Sequence, residues 1–396
     1  MKITLENLLK NSDSNYWSGS IFLYTLYFIP PIINVLFDMG SLSYGIILTN
    51  IALFSLFRFQ SIPMNIRSVM FSIIIFLILI LSSLFYTSFS FHHVFSALGA
   101  AVFVLSASDF ARTLESTSSQ VITKAVITFF LVIIVIAILG IIFRGFIPHY
   151  AGHRVSVFPF QEPSHFAISA SALFLYSVTV IKTGALWRIL IFFGLSLFLP
   201  SLILLVVTII GALIFVGKQR WYYVLPSFIF IGAAFSYFIL IYADLSYFVT
   251  RIGFQSENLS FLVFQQGWSD LFAVLRSTDF LGLGFQNYAS RPVDDAAAYI
   301  YEIAGKELNR SDGSFLMSKV GGEFGLLGLL FYMVLSVIII RQLYIEKKHG
   351  GFAPFLGCIT IAFFIEFTLR GVGYFTFTQF LFLGAAIFSL RRRHRV

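Results

Sequence analysis

Charge is what this chain has least of. Only 11% of its 396 residues are Asp, Glu, Lys or Arg, 58% are hydrophobic, and mean hydropathy is +0.91. A soluble globular domain carries about 25% charged residues, so that class is excluded. Cysteine is nearly absent as well. Cys358 stands alone inside an apolar run, which rules out an intrachain disulfide and leaves the redox compartment unmarked. The sequence also lacks His/Cys metal spacings, a phosphate-binding glycine loop and a nucleophile elbow. "FLGLGFQNY" (280–288) holds two glycines, but no strand precedes them and the third glycine of a dinucleotide fingerprint is missing. No metal or other cofactor is expected. The net charge of +8 comes from basic residues scattered between apolar runs, a distribution that suits membrane orientation and argues against nucleic acid.

What the chain does have is apolar runs of membrane-crossing length. Twelve are legible, near 18–37, 42–57, 69–87, 91–106, 121–143, 165–181, 186–199, 201–217, 221–243, 325–343, 354–370 and 373–390. The seventh and eighth are short and meet at Pro200-Ser201, so a single broken or re-entrant segment is an alternative reading. The first run is followed by others and is not expected to be a cleaved signal. The expected fold is therefore all-α: one polytopic membrane domain of about twelve transmembrane helices. Twelve crossings put both termini on one side. The basic residues of the alternate connections and the tail "RRRHRV" mark that side as cytoplasmic.

This topology leaves two long connections outside, 144–164 and 244–324. The second runs for roughly eighty residues, a length that in compact proteins usually signals function. Within it, "NLSFLVFQQGWSDLFAVLR" (258–276) has helical amphipathic spacing and should lie on the membrane surface or cap the bundle. "DDAAAYIYEIAGKEL" (294–308) reads as a short helix with acids at its N-terminus, where the dipole favours them. That also explains Asp294-Asp295 better than a metal would. In "DGSFLMSKVGGEFGLLGLL" (312–330), the glycines are expected to allow close helix packing.

The outer segments concentrate the candidate chemistry. Arg154, Arg251, Arg276, Arg291 and Arg370 are arginines rather than lysines, the residue suited to bidentate phosphate recognition. Solvated loop charges or headgroup anchors are the plainer alternative. In "HRVSVFPFQEPSHFA" (153–167), Glu162 precedes Pro163-Ser164, with Ser164 expected to cap the following helix. Two readings of Glu162 stay open. It is a base for a substrate hydroxyl, or a structural carboxylate pairing with Arg154 or with backbone N–H groups. His165 and Asp312 are further acid–base candidates. In "FFIEFTLRGVGYF" (363–375), Glu366 and Arg370 are four apart, a spacing that lets them pair on a helix.

With these residues in view, the chain resembles the Wzy-type O-antigen polymerases, which share their layout with the O-antigen ligases. The resemblance rests on the helix count, on a medium and then a large outer loop, on "HRVSVFPFQEPSHFA", and on "RIG…LGLGFQNY…SDGSFLMSKVGGEFGLLG". Two departures stand out. Some polymerases carry Gly eleven residues after an outer-loop Arg, but here His165 follows Arg154 and Asn287 follows Arg276 at that distance. Ligases usually carry a His about ten residues before the helix-opening Gly, and none precedes Gly325 here. The second departure favours polymerase over ligase. The resemblance implies an inner-membrane glycosyltransferase that joins undecaprenyl-pyrophosphate-linked repeat units at the periplasmic face by metal-independent inversion. It implies a chain-length regulator and a flippase as partners. Glu162 would be the base, with Asp312 and His165 behind it, and the arginines would hold pyrophosphate. A ligase and a lipid-linked-oligosaccharide flippase remain alternatives. A flippase would be expected to show internal repeats and short outer loops.

Overall fold

The computed structural model describes residues 14–37, 42–59, 66–84, 90–143, 157–160, 162–181, 183–199, 201–218, 259–293, 295–305, 307–349, 351–371 and 373–393. Arg154, Arg251 and the apolar run 221–243 lie outside them, as does most of loop 144–164. The described residues are built from helices: α1 (Ser14–Phe37), α2 (Leu42–Phe59), α3 (Ile66–Ser83), α4 (Phe91–Ser116), α5 (Ser119–Phe143), α6 (Pro163–Val180), α7 (Ala185–Phe198), α8 (Leu202–Lys218), α9 (Leu259–Ser277), α10 (Asp295–Ala304), α11 (Leu316–His349), α12 (Ala353–Thr368) and α13 (Phe377–Arg393). Helices α3, α4, α5 and α11 are long and apolar enough to cross a bilayer, and five shorter helical stretches are apolar too. Their outward side chains, such as Met70, Leu77 and Leu327, are exposed and apolar. This is the pattern of a membrane-embedded protein, in which lipid covers what water would reject.

The bundle is organised around α6. Fourteen of its eighteen residues are buried, and α5, α7, α8, α12 and α13 all pack against it. Small residues on this helix (Ala167, Ser169, Ala170, Ser171, Ala172) let the neighbours approach closely. Helix α13 also touches α4, α11 and α12, while α3 sits at the rim with only 11% of its residues buried. Helices α7 and α8 are two short apolar helices packed on each other.

Two helices extend past their apolar runs because tertiary contacts satisfy the polar residues there. Helix α4 continues to Ser116, where Arg112 pairs with Asp109 at 3.7 Å and Arg391 of the C-terminal helix pairs with Glu115. Arg392 pairs with Glu346 at the same end of the bundle. Helix α11 begins at Leu316, well before the apolar run at 325.

Helix α11 is broken at Gly325, which has φ 60 and ψ −146. The glycine-rich loop after α9 fills the break. Leu283 and Gly284 donate N–H bonds to the carbonyls of Gly322 and Glu323 at 2.8 and 2.7 Å, and Leu326 donates to the Phe280 carbonyl at 3.0 Å. Gly282 has φ +84, and a Cβ there would fall 2.5 Å from the Gly325 nitrogen. "LGLG" and "GGEFG" are therefore two halves of one interlock, while Gly321 allows the expected close helix packing against Leu271 of α9. Gly282→Ala should lower the amount of folded protein in the membrane, with the backbone strain alone costing about 1–3 kcal/mol. Parental levels in a detergent-solubilised thermal melt would contradict this account.

Candidate functional site

At the end of the bundle opposite Arg391 and Arg392, several polar side chains meet. The segment "VFPF" (157–160) brings the first of them in. Val157 and Phe160 exchange backbone hydrogen bonds across a tight turn, and Phe160 is buried against Tyr27 with ring centroids 5.2 Å apart. This plug holds the chain at the mouth of α6. Glu162 is the N-cap of that helix, with φ −114 and ψ 135, and Pro163 opens its first turn. Ser164 lies inside the helix and does not cap it. Its hydroxyl donates to Glu162 Oε2 at 3.1 Å.

The same carboxylate oxygen accepts from Arg370 Nη2 at 3.1 Å, and His165 Nε2 stands 3.7 Å away. Arg370 does not pair with Glu366. Helix α12 stops at Thr368 before it reaches Arg370, so the four-residue helical spacing is lost. Glu366 is fully buried beside Thr376 and Thr378. The Glu162 side chain is about half exposed (51%). Partial burial works against its charged form, but His165, Arg370 and the Ser164 hydroxyl outweigh it and hold the carboxyl below the usual carboxylate range.

Asp312 enters from the other side. The turn after α12 docks on the loop before α11, with the Gly371 N–H donating to the Ser314 carbonyl at 3.3 Å. That contact brings Arg370 and Asp312 to the same mouth, and Asp312 lies within electrostatic reach of His165. Behind Asp312 is Lys319, only 2% exposed. Its Nζ lies 3.4 Å from Asp312 Oδ1, 2.8 Å from the Ser311 carbonyl, 3.5 Å from Gln286 Oε1 and 3.8 Å from Glu323 Oε1. Tyr374 donates to Glu323 Oε2 at 2.7 Å. Gln286 in turn hydrogen-bonds His92.

The other arginines divide. Arg291 is buried against Asp270 at 2.6 Å and donates to the Tyr288 carbonyl at 2.8 Å, with its guanidinium 4.1 Å from the Tyr288 ring centroid. Burial also pushes the Tyr288 hydroxyl well above its ordinary range, so it stays protonated and donor-capable. Arg291 braces the segment after α9 against that helix, and its guanidinium faces these partners rather than the mouth. Arg276 is exposed on the last turn of α9, where the helix dipole favours a cation. Helix α9 folds back on α11. Trp268 packs on Phe315 with centroids 4.9 Å apart, and Ser318 donates to the Gly267 carbonyl at 2.8 Å.

The site thus joins Glu162, His165, Arg370, Asp312 and the basic residue Lys319, and adds His92, Gln286, Glu323 and Tyr374, which the sequence alone does not single out. One signal pointed that way: Lys319 and Glu323 are charged residues four apart in a Gly-rich helix start. Among the described residues, no group of three His, Cys, Asp or Glu converges as a metal-ligand cluster. Chemically, the mouth offers one half-exposed ionised carboxylate, one partly exposed guanidinium and a second carboxylate backed by a buried cation. Comparison with family models, with curated proteins and with solved structures finds no match.

Proposed function

We propose that the chain is a membrane glycosyltransferase of the polysaccharide-polymerase kind. It joins oligosaccharide repeat units carried on undecaprenyl pyrophosphate, at the periplasmic face of a bacterial inner membrane. The observation that supports this reading best is the Glu162–Arg370 pair at the mouth of an otherwise apolar bundle. A lipid-linked substrate would keep its tail beside the apolar helix faces and its pyrophosphate and sugar at that mouth.

In the proposed step, a hydroxyl oxygen of the acceptor sugar attacks the anomeric carbon of the donor from the face opposite the pyrophosphate. The carbon–oxygen bond to pyrophosphate breaks with inversion, and the hydroxyl proton passes to Glu162. The leaving group departs as undecaprenyl pyrophosphate, a good leaving group that needs charge neutralisation more than a proton. Arg370, with Arg154 from the same outer segment as Glu162, supplies that neutralisation. Each charge-assisted contact contributes roughly 1.5–3 kcal/mol. Purified protein given lipid-linked repeat units should yield a ladder of products. A single transfer to a lipid-A-type acceptor would indicate a ligase, and movement without bond formation a flippase.

The proposed topology has twelve spans, counting the run 221–243, and puts both termini in the cytoplasm. A C-terminal reporter active only in the periplasm should be silent. A signal from it would invert the topology and remove the site from the periplasm.

A further inference from the structure

Asp312 is exposed for 38% of its side chain, yet it is held from behind by a lysine that is almost completely buried. A buried ammonium needs acceptors for its three N–H donors, and here they come from the groups that line the mouth. Lys319 Nζ meets Asp312 Oδ1, Gln286 Oε1, the Ser311 carbonyl and, at 3.8 Å, Glu323 Oε1, and its position over the Tyr374 ring is 5.1 Å from the centroid. The effect is to orient two planar polar groups: the Asp312 carboxylate, which stays partly exposed, and the Gln286 amide, which also meets His92.

The backbone supports the same conclusion. Gln286 has φ +60, a conformation that costs a non-glycine residue about 1–3 kcal/mol. Its N–H bonds the Glu323 carboxylate, while its side chain reaches Lys319 and His92. Gly373 has φ +86, and a Cβ there would stand 3.3 Å from Asp312 Oδ1 and 3.5 Å from Ser43 Oγ. A side chain there would crowd the carboxylate, and glycine avoids that contact. His92 is exposed next to Phe91, which is 82% exposed.

We propose that His92, Gln286 and Asp312 form a subsite for the hydroxyls of an uncharged sugar, with Lys319 as the residue that positions Gln286 and Asp312. Carboxylate, amide and imidazole groups held together suit a polyhydroxylated ligand, since each offers hydrogen bonds in set directions. An acidic sugar is disfavoured. The accessible charge of the subsite is the Asp312 carboxylate, and the lysine that would attract an acid is enclosed. The inference rests on the glycosyl-transfer reading and adds the sugar-recognising half to the pyrophosphate-holding half.

The test separates the two halves. The protein is purified in nanodiscs, and binding is measured for two probes: the free repeat-unit oligosaccharide, released from the lipid-linked pool of the producing cells, and farnesyl pyrophosphate. Gln286→Ala and Asp312→Asn should each weaken the oligosaccharide about tenfold or more and leave farnesyl pyrophosphate within about twofold, the size expected when a site loses a directed hydrogen bond. Lys319→Met should weaken the oligosaccharide through the loss of both orientations, and Lys319→Arg should restore part of it. Should Lys319→Met fail to fold, the exposed His92→Ala carries the same expectation. Oligosaccharide affinity unchanged in Gln286→Ala and Asp312→Asn, equal losses for both probes, or no binding of the free oligosaccharide to the parent protein would each overturn the subsite. Oligosaccharide binding without any ladder would leave the subsite standing and defeat the polymerase reading instead.

Discussion

Glu162→Gln is expected to cut ladder formation by about 10²-fold or more while lipid-linked substrate still binds. That is the ordinary worth of a positioned general base. Glutamine keeps the size of the side chain and a hydrogen bond to Arg370, but it cannot accept the hydroxyl proton. If Glu162 serves only to brace the mouth, activity should instead fall together with the amount of protein in the membrane. The structure makes those outcomes separable. The Glu162 side chain is half exposed, and a pair of this kind typically contributes only about 0–1 kcal/mol to folding. Near-normal ladders from Glu162→Gln would remove it as the base and move that role to Asp312.

The pH dependence follows from the same contacts. A base must be ionised, so kcat/KM of the free enzyme falls as pH drops through its folded pKa. In Glu162 that value is held below the ordinary glutamate range, near 4.3 in model peptides. The acid limb should therefore lie low in the parent protein. In Arg370→Ala one of the groups that lowers it is gone and the opposing effect of burial stays, so the limb should move to higher pH. An acid limb that does not move would mean that the titrating group is not Glu162.

Arg370→Ala is expected to lose nearly all polymerisation, about 10²–10³-fold, the scale for removing a donor that stabilises developing negative charge. Arg370→Lys keeps the charge and loses the forked geometry, so it should retain some activity with weaker use of the donor. Membrane levels should stay close to the parent in both, again because the pair with Glu162 is exposed. If Lys matched Arg in farnesyl pyrophosphate binding and in ladder length, the bidentate role would fall. Arg154→Ala should give a loss comparable to that of Arg370→Ala, if the two share the pyrophosphate.

Much of the architecture could be read without coordinates. Apolar runs announce α1 to α3, α5 to α8, α12 and α13 within a few residues, because length and hydropathy are local properties and lipid leaves a helix few alternatives. The amphipathic spacing around Trp268 and the acidic start of α10 were equally local. The misplacements share one cause. Helix α11 starts at Leu316 because Ser318 finds a partner in Gly267 of α9, and α4 runs to Ser116 because Arg391 meets Glu115. Such partners lie far along the chain and leave no trace in a hydropathy window.

For the site, the sequence determined the inventory: which residues carry charge in an apolar chain, and that Glu162, His165, Asp312 and Arg370 all sit beside connections on one side of the bundle. Only the tertiary structure decided the pairings. It matched Arg370 with Glu162, 208 positions apart, rather than with Glu366 one helical turn away, and it turned Arg291 inward onto Asp270. It also enclosed Lys319 behind Asp312 and fitted the Gly282 loop into the Gly325 break. The physical reason is that a charge in a low-dielectric surrounding must find a partner wherever packing provides one. Packing brings together helix ends that the sequence keeps hundreds of residues apart.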